Sequence, residues 1–299
     1  MSGSSIIFSC EGADHEIALT AEPGSETLRQ LFAWLPAETT IHCAKIAGCH
    51  IYWPSPILAR LEGGTDIHTL PPGSFLYYPD RQYLELIYDT LQAEKASVTH
   101  LGRLVGEIGW LREYAERQRR EAGGTVFSAT LRLAGDAPAA APAPADEAAG
   151  GDACWTRLCR RRQAVWQAEP DEIGRMLDNR GHNIPFGPLM TADGYFRFAQ
   201  ESLWQLWNAP ARFSDDGRRA AAINAMELAI ARVGHFCHLA DSEAFFADAI
   251  EIVEAGTVPL DDLLCEVILY ASKMSNWVDS HVPWYAANEI TRAALGRPD

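Results

Sequence analysis

The stretch Thr40-Ile-His-Cys-Ala-Lys-Ile-Ala-Gly-Cys-His-Ile-Tyr-Trp53 reads as two β-strands joined by a turn at Ala47-Gly48. With that turn Lys45 faces His50 and Cys43 faces Tyr52. Strand side chains alternate, so Ile41, Cys43, Lys45, His50 and Tyr52 share one face, and Ala44, Ile46, Cys49, Ile51 and Trp53 share the other. The second face is expected to join the core. The first gathers an amine, an imidazole and a phenol, which is the make-up of a reactive surface. A one-residue slip in the register would exchange the two faces.

Outward from this hairpin, further strand-like runs lie near Ile6 to Ser9, Glu16 to Thr20, Ser74 to Tyr78, Tyr83 to Tyr88 and Thr125 to Leu133. Helical patterns occupy about 25 to 35 and 100 to 120. Residues 134 to 153, rich in Ala, Pro, Gly and Asp, carry no large apolar side chain and read as a linker. Beyond it the period is helical throughout: Trp155 to Trp166, Ala192 to Trp207, Asp215 to Leu239, Ser242 to Glu254, Leu260 to Asn276 and Trp284 to Leu295. Asp193 and Ser214 or Asp215 are expected N-caps, and Pro259 is expected at a helix start. The expected fold class is therefore α+β in two domains, a β-rich barrel or sandwich over residues 1 to 133 and an α-helical bundle over 154 to 299.

The chain of 299 residues has a formal charge of −15, which disfavours nucleic acid and anionic membrane surfaces as partners. Arg117, Arg119 and Arg120, and Arg157, Arg160, Arg161 and Arg162, form short basic clusters that read as solvated helix faces. No apolar run is long enough to span a membrane. The N-terminus lacks a cationic segment and moves straight into a strand, which points to the cytoplasm. Seven scattered cysteines without a Cys-x-x-Cys pair fit reduced thiols better than disulfides or a zinc site. Cys43 has neighbours that suit a nucleophile, although such thiols are more often inert.

No glycine-rich nucleotide cradle and no Gly-x-Ser-x-Gly elbow occurs, so dinucleotide, P-loop and α/β-hydrolase chemistry have no anchor. His235 and His238 lie three residues apart, but no second ligand pair accompanies them, and packed or surface histidines are the commoner reading. No metal and no cofactor is expected. His182 belongs to Arg180-Gly-His-Asn-Ile-Pro-Phe-Gly-Pro-Leu-Met190, a Gly- and Pro-rich loop suited to substrate contact or to plain connection. In Tyr83-Leu-Glu-Leu-Ile-Tyr88, Tyr83 and Glu85 share the face opposite Leu84, Leu86 and Tyr88. Glu85 becomes a base or an ion-pair partner if that face is also the face of Lys45 and His50, and is otherwise a solvated strand residue. Arg60 and Arg103 are candidate carboxylate clamps, with ordinary surface arginine as the alternative.

The order of elements in residues 5 to 133, with Leu70-Pro-Pro-Gly-Ser-Phe-Leu-Tyr-Tyr-Pro79, the strand from Tyr83 to Asp89 and Leu101-Gly-Arg-Leu-Val-Gly106, resembles the small cyclophilin-like barrel proteins. Followed by a helical bundle, that order is similar to the cucumopine and mikimopine synthase family over nearly the whole chain outside the linker. The resemblance implies condensation of L-histidine with 2-oxoglutarate to a cyclic imidazole opine by a Pictet–Spengler reaction that needs no metal, ATP or reductant. Substrates with three carboxylates would then be the small-molecule partners, and a homo-oligomer is compatible with it. Strand geometry, not the family, suggests Lys45, His50, Tyr52 and Glu85 as catalytic residues. On the same basis Arg60, Tyr83 and Arg103 are suggested as substrate contacts, and the Gly- and Pro-rich loop adds His182. A related condensing enzyme with another amine or 2-oxo acid, and a small-molecule-binding protein without catalysis, are the alternatives. The Phe-His-Arg run of true cyclophilins is missing, so the barrel does not carry peptidyl-prolyl isomerase activity with it.

Overall fold

Strand alternation in the first half of the chain yields two faces of different character, and pairing of the first and last ribbons seals one of them inside a barrel. The computed structural model describes residues 4–20, 24–45, 48–91, 95–136, 153–178 and 186–297. Among the described residues nine strands lie in chain order: β1 (Ser5–Cys10), β2 (Ala13–Leu19), β3 (Ala37–Cys43), β4 (Gly48–Pro54), β5 (Thr65–Asp66), β6 (Ser74–Tyr78), β7 (Tyr83–Leu91), β8 (Ser97–Leu104) and β9 (Phe127–Leu133). Their spatial order is β2-β1-β9-β3-β4-β7-β6-β8-β5, and an extra pairing of β2 with β8 closes the first eight into an antiparallel barrel. Two short helices, α1 (Glu26–Trp34) and α2 (Gly109–Glu121), accompany it.

Local chemistry explains the closure. The β1–β2 hairpin turns on Glu11 and Gly12, both at positive φ, the backbone a two-residue hairpin turn requires. At the β2–β8 seam any Cβ on Gly102 would collide with the Ala18 carbonyl, so the close approach that completes the barrel needs glycine there. Each of the eight strands sends alternate residues to one apolar cluster, among them Phe8, Ile17, Ile41, Ile51, Trp53, Phe75, Leu86, Leu101 and Leu131. Leu28 and Leu31 of α1 and Leu111 and Tyr114 of α2 join that cluster. An eight-strand barrel is just wide enough for side chains to fill, so this is a packed core. The residues between the inward ones form the outer face.

Residues 100–104, expected to begin a helix, are instead the end of β8, and α2 starts only at Gly109. The barrel seam overrides local pattern here, because Gly102 to Leu104 pair with Ile17 to Leu19. Most of the proposed linker, 137 to 152, lies outside the described residues, as does His182.

After the linker come α3 (Ala153–Gln167), α4 (Asp171–Leu177), α5 (Phe186–Asn208), α6 (Asp215–Ala229), α7 (Ala240–Ala255), α8 (Leu260–Ser280) and α9 (Trp284–Ala294). Together with the barrel they give the α+β architecture expected from the sequence. Phe196, Phe245, Phe246 and Tyr270 pack as a ring cluster at the bundle centre. Helix α5 begins earlier than its periodicity suggests, since Pro188 in its first turn gives up an N–H that has no helical acceptor. Asp193 is not an N-cap: it is buried within α5, where Arg197 and Ser275 donate to its carboxylate.

Ser214 does cap α6, accepting from Gly217 N at 3.1 Å. Ser214→Ala is expected to lower stability by about 1 kcal/mol, readable as an earlier midpoint in urea. Past Ala229 the helix widens into a π turn over Ile230–Phe236, and His238 takes a positive φ. His235 and His238 therefore do not sit on one regular helical face.

The contacts divide the chain into Met1–Pro144 with Pro283–Asp299, and Ala145–Val282. Helix α9, whose periodicity matches the other helices, thus groups with the barrel. The physical reasons are local: Tyr285 donates to the Ala44 carbonyl at 3.1 Å, the Arg119 guanidinium lies 5.9 Å from the Tyr285 ring, and Pro283 packs on Gly123. Arg119 is accordingly not a solvated residue; its guanidinium donates to Tyr88 Oη at 2.7 Å.

Candidate active site on the outer face of the barrel

The register between strands arranges the outer face in rows. His42 pairs with Tyr52, Tyr52 with Glu85, Glu85 with Leu76 and Leu76 with His100, so these five residues form one row across β3, β4, β7, β6 and β8. The next row on one side carries Pro54, Tyr83 and Tyr78. On the other side lie His50 and Ile87, while Ser74 pairs with Arg103 further along. His50, Tyr52, Tyr83 and Glu85 are thereby brought together, as their strand positions suggested.

The β3 partner differs from expectation. Tyr52 faces His42, not Cys43, and Cys43 faces Ile51. Ile41 and Cys43 accordingly turn into the core beside Ile51 and Trp53, and His42 takes their place on the polar face. The Cys43 thiol is buried, with Tyr88 Oη and the Ala44 carbonyl as its weak partners, away from the outer face. Lys45 lies beyond the end of β3, yet its Nζ donates to Tyr52 Oη at 3.1 Å, so it rejoins the patch through its side chain.

Three rings stack across the strands. His42 and Tyr52 are 5.2 Å apart at 18°, and Tyr52 and Tyr83 are 4.6 Å apart at 23°. With a ring from β3 on one side and a ring from β7 on the other, both faces of Tyr52 are taken. Tyr52 can therefore offer a ligand its hydroxyl but not its ring. Lys45 Nζ stands 5.5 Å from the Tyr52 centroid because it is bonded to the hydroxyl edge.

Glu85 and His50 are the most chemically unusual pair. Their side chains are 2% and 5% exposed, and His50 Nε2 lies 3.7 Å from Glu85 Oε2. Leu76 and Ile87 flank Glu85 and belong to a small outer apolar cluster completed by Ile67 and Val98. Burial lowers the His50 pKa from 6.5 to about 4. The separation would count as an ion pair for a charged imidazole, but removing a cation from water costs more than a carboxylate at this distance returns. His50 is therefore neutral at pH 7. Its Nδ1 has no hydrogen-bond partner among the described residues, and neither has Nε2 of His100 in the central row.

Arg60 and Arg103 are both exposed. Arg60 lies in the segment after β4, and Arg103 lies on β8, where its Nη2 donates to the Pro72 carbonyl at 3.5 Å. Neither belongs to the Tyr52–Glu85 row. His42 was missed by sequence reasoning, although Thr40-Ile-His-Cys43 alternates in a way that would have found it: apolar Ile41 belongs inside, which puts His42 outside.

Among the described residues the donors close enough to share a metal are Cys154, Asp248 and Glu251 in the bundle. Arg157 and Arg161 both donate to the Asp248 carboxylate, which already neutralises that group. No helix among the described residues is long and apolar enough to cross a membrane.

No protein-family model matches the chain, and no curated protein matches it. Among solved structures, that of McbB in complex with tryptophan aligns with a TM-score of 0.75 at 18% identity, over 95% of this chain and 99% of that one. The solution structure of the hypothetical protein AF2241 from Archaeoglobus fulgidus aligns at 17% identity over 44% of this chain and 95% of that one, but its TM-score of 0.33 carries no argument. At this identity the likeness to McbB establishes a shared fold of barrel and helices.

Proposed function

We propose that the protein is a condensing enzyme of the Pictet–Spengler kind, joining an amino acid that bears a nucleophilic aromatic ring to a 2-oxo acid. L-histidine and 2-oxoglutarate are the pair implied by the sequence resemblance. The observation that carries the reading is the buried Glu85–His50 pair beside the Lys45–Tyr52 hydrogen bond. It supplies a carboxyl group, a neutral imidazole and an amine-bonded phenol within neighbouring rows of one face, with no nucleotide cradle in the sequence. McbB, which shares the fold, is bound to tryptophan in its solved structure. Tryptophan, like histidine, pairs an α-amine with a ring carbon able to attack an iminium, so it is the second amine to test.

The chemistry needs an acid for the leaving water and a base for the ring proton, and the residues fit both. The substrate amine adds to the ketone carbon to give a carbinolamine, whose hydroxyl must leave as water. A charged Lys45 donates to the Tyr52 oxygen, and the Tyr52 hydroxyl is the proposed proton donor to that departing hydroxyl. The ring carbon then attacks the iminium carbon, forming the new C–C bond. Glu85 removes the proton from that ring carbon and restores aromaticity. His50, held neutral by burial, offers Nδ1 to the substrate and Nε2 toward Glu85. The charge on Lys45 also suits one substrate carboxylate, and the remaining proposed contacts are Arg60, Tyr83, Arg103 and His182.

Purified protein incubated with L-histidine or L-tryptophan and 2-oxoglutarate, without NADPH, is expected to form a product lighter than the two substrates by one water in mass spectrometry. Binding without turnover would favour a ligand-binding protein. Turnover only with NADPH would favour a reductive opine synthase. Arg60→Ala and Arg103→Ala are expected to raise KM for the oxo acid with kcat little changed, because they remove carboxylate contacts made equally in ground and transition states.

A further inference from the structure

Lys45 sits just past the last residue of β3, where the sheet no longer holds it. The hairpin's outermost described bond is Ala44 N to the His50 carbonyl at 3.1 Å. Two contacts from the far end of the chain act at this point. Tyr285 Oη donates to the Ala44 carbonyl across 241 residues of sequence, fixing the peptide that leads into Lys45. The Trp284 ring lies 5.8 Å from Lys45 Nζ, opposite in role to the Tyr52 hydroxyl 3.1 Å away. A lysine side chain has several rotatable bonds and loses conformational freedom when held in one place. Contact with both the Trp284 ring and the Tyr52 hydroxyl narrows the positions open to it.

The first turn of α9 is itself anchored. Pro283 packs against Gly123 so closely that a Cβ there would lie 2.9 Å from the Pro283 backbone. The Arg119 guanidinium bridges the Tyr285 ring and Tyr88 Oη, tying this turn to β7. Burial pushes the Tyr285 phenol up, so it remains a hydrogen-bond donor to Ala44 at every working pH.

We propose that Trp284 and Tyr285 are positioning residues for Lys45, so that the C-terminal helix completes the amine side of the barrel site. The catalytic consequence rests on the function proposed above, whereas the positioning itself is measurable without turnover. The chain has three lysines, Lys45, Lys95 and Lys273. Lys95 is exposed and Lys273 is buried, which gives two internal references for a small amine-acylating reagent read residue by residue by mass spectrometry.

Trp284→Ala is expected to raise labelling of Lys45 relative to Lys95 by about fivefold, the size of a partly desolvated cation–π contact. Trp284→Phe, which keeps a ring, should restore most of the protection. Gly123→Ala touches neither Lys45 nor its partners but obstructs Pro283, and it should raise the same ratio while the circular dichroism spectrum is kept. In turnover, Trp284→Ala should lower kcat and should add no further loss to Lys45→Ala. An unchanged Lys45 to Lys95 ratio in both Trp284→Ala and Gly123→Ala would overturn the proposal. A raised ratio in a protein whose wild type forms no condensation product would uphold the positioning and overturn the reaction.

Discussion

Glu85→Gln is expected to lower kcat by about a thousandfold while leaving the protein folded, because removal of a general base costs 10²–10⁴ in rate. Glutamine fills nearly the same volume on β7, keeps its pairing with Tyr52 and Leu76, and has no proton-accepting carboxylate. The site is dry: Glu85 is almost wholly buried, flanked by Leu76 and Ile87, so water is poorly placed to take over the abstraction. His50 is neutral, so replacing the Glu85 carboxyl by an amide leaves no unpaired charge buried beside it. KM for the amine should change little, since the proton leaves only after both substrates are joined. Lys45→Ala should act differently, lowering kcat and raising KM for the carboxylate it holds. Wild-type turnover in both variants would move the chemistry to another face.

The second large effect concerns stability and pH. His50 titrates at about 4 in the fold and near 6.5 when exposed, so between those values the unfolded chain binds a proton that the native chain refuses. The native state is favoured in full above pH 6.5, and that contribution is lost as pH falls toward 4, amounting to about 2 to 3 kcal/mol at pH 4.5. Urea unfolding of wild type and His50→Gln at pH 7.5 and 4.5 isolates it. The wild type should lose about 2 to 3 kcal/mol more than the variant over that interval. If Glu85 instead held a charged imidazole, the sign would reverse and wild type would gain on the variant at low pH.

How far the site was legible from sequence depended on which strand was read. In β4 the apolar Ile51 and Trp53 determine the inward face, so His50 and Tyr52 had to point outward, and they do. On β7 the same rule sets Tyr83 and Glu85 opposite Leu84 and Leu86, and the pairing with β4 then decides that theirs is the face of Tyr52. On β3 a two-residue turn at Ala47-Gly48 predicts a register one residue away from the observed one, in which His42 faces Tyr52 and Cys43 faces Ile51. Lys45 survived the shift because a lysine outside the ladder can still reach the Tyr52 hydroxyl.

Other features followed from long-range pairing. Nothing local in Leu101-Gly-Arg-Leu104 favours strand over helix; the β2 backbone across the seam decides it, and Gly102 allows the contact. Helix α9 carries ordinary helical periodicity, and contacts such as those of Pro283 with Gly123 and of Tyr285 with Ala44 and Arg119 assign it to the barrel. The stacking of His42, Tyr52 and Tyr83 likewise depends on the observed register, and it changes what Tyr52 can do for a ligand.

The central claim is that this face closes a ring by joining an aromatic carbon to a keto carbon. It is tested most directly with L-histidine deuterated at imidazole Cδ2, or L-tryptophan deuterated at indole C2, incubated with 2-oxoglutarate in the absence of NADPH. The expected product has lost that deuteron and is lighter than the substrates by one HDO, and it is formed by wild type and not by Glu85→Gln. A product that keeps the deuteron, or one that appears only when NADPH is added, would contradict it.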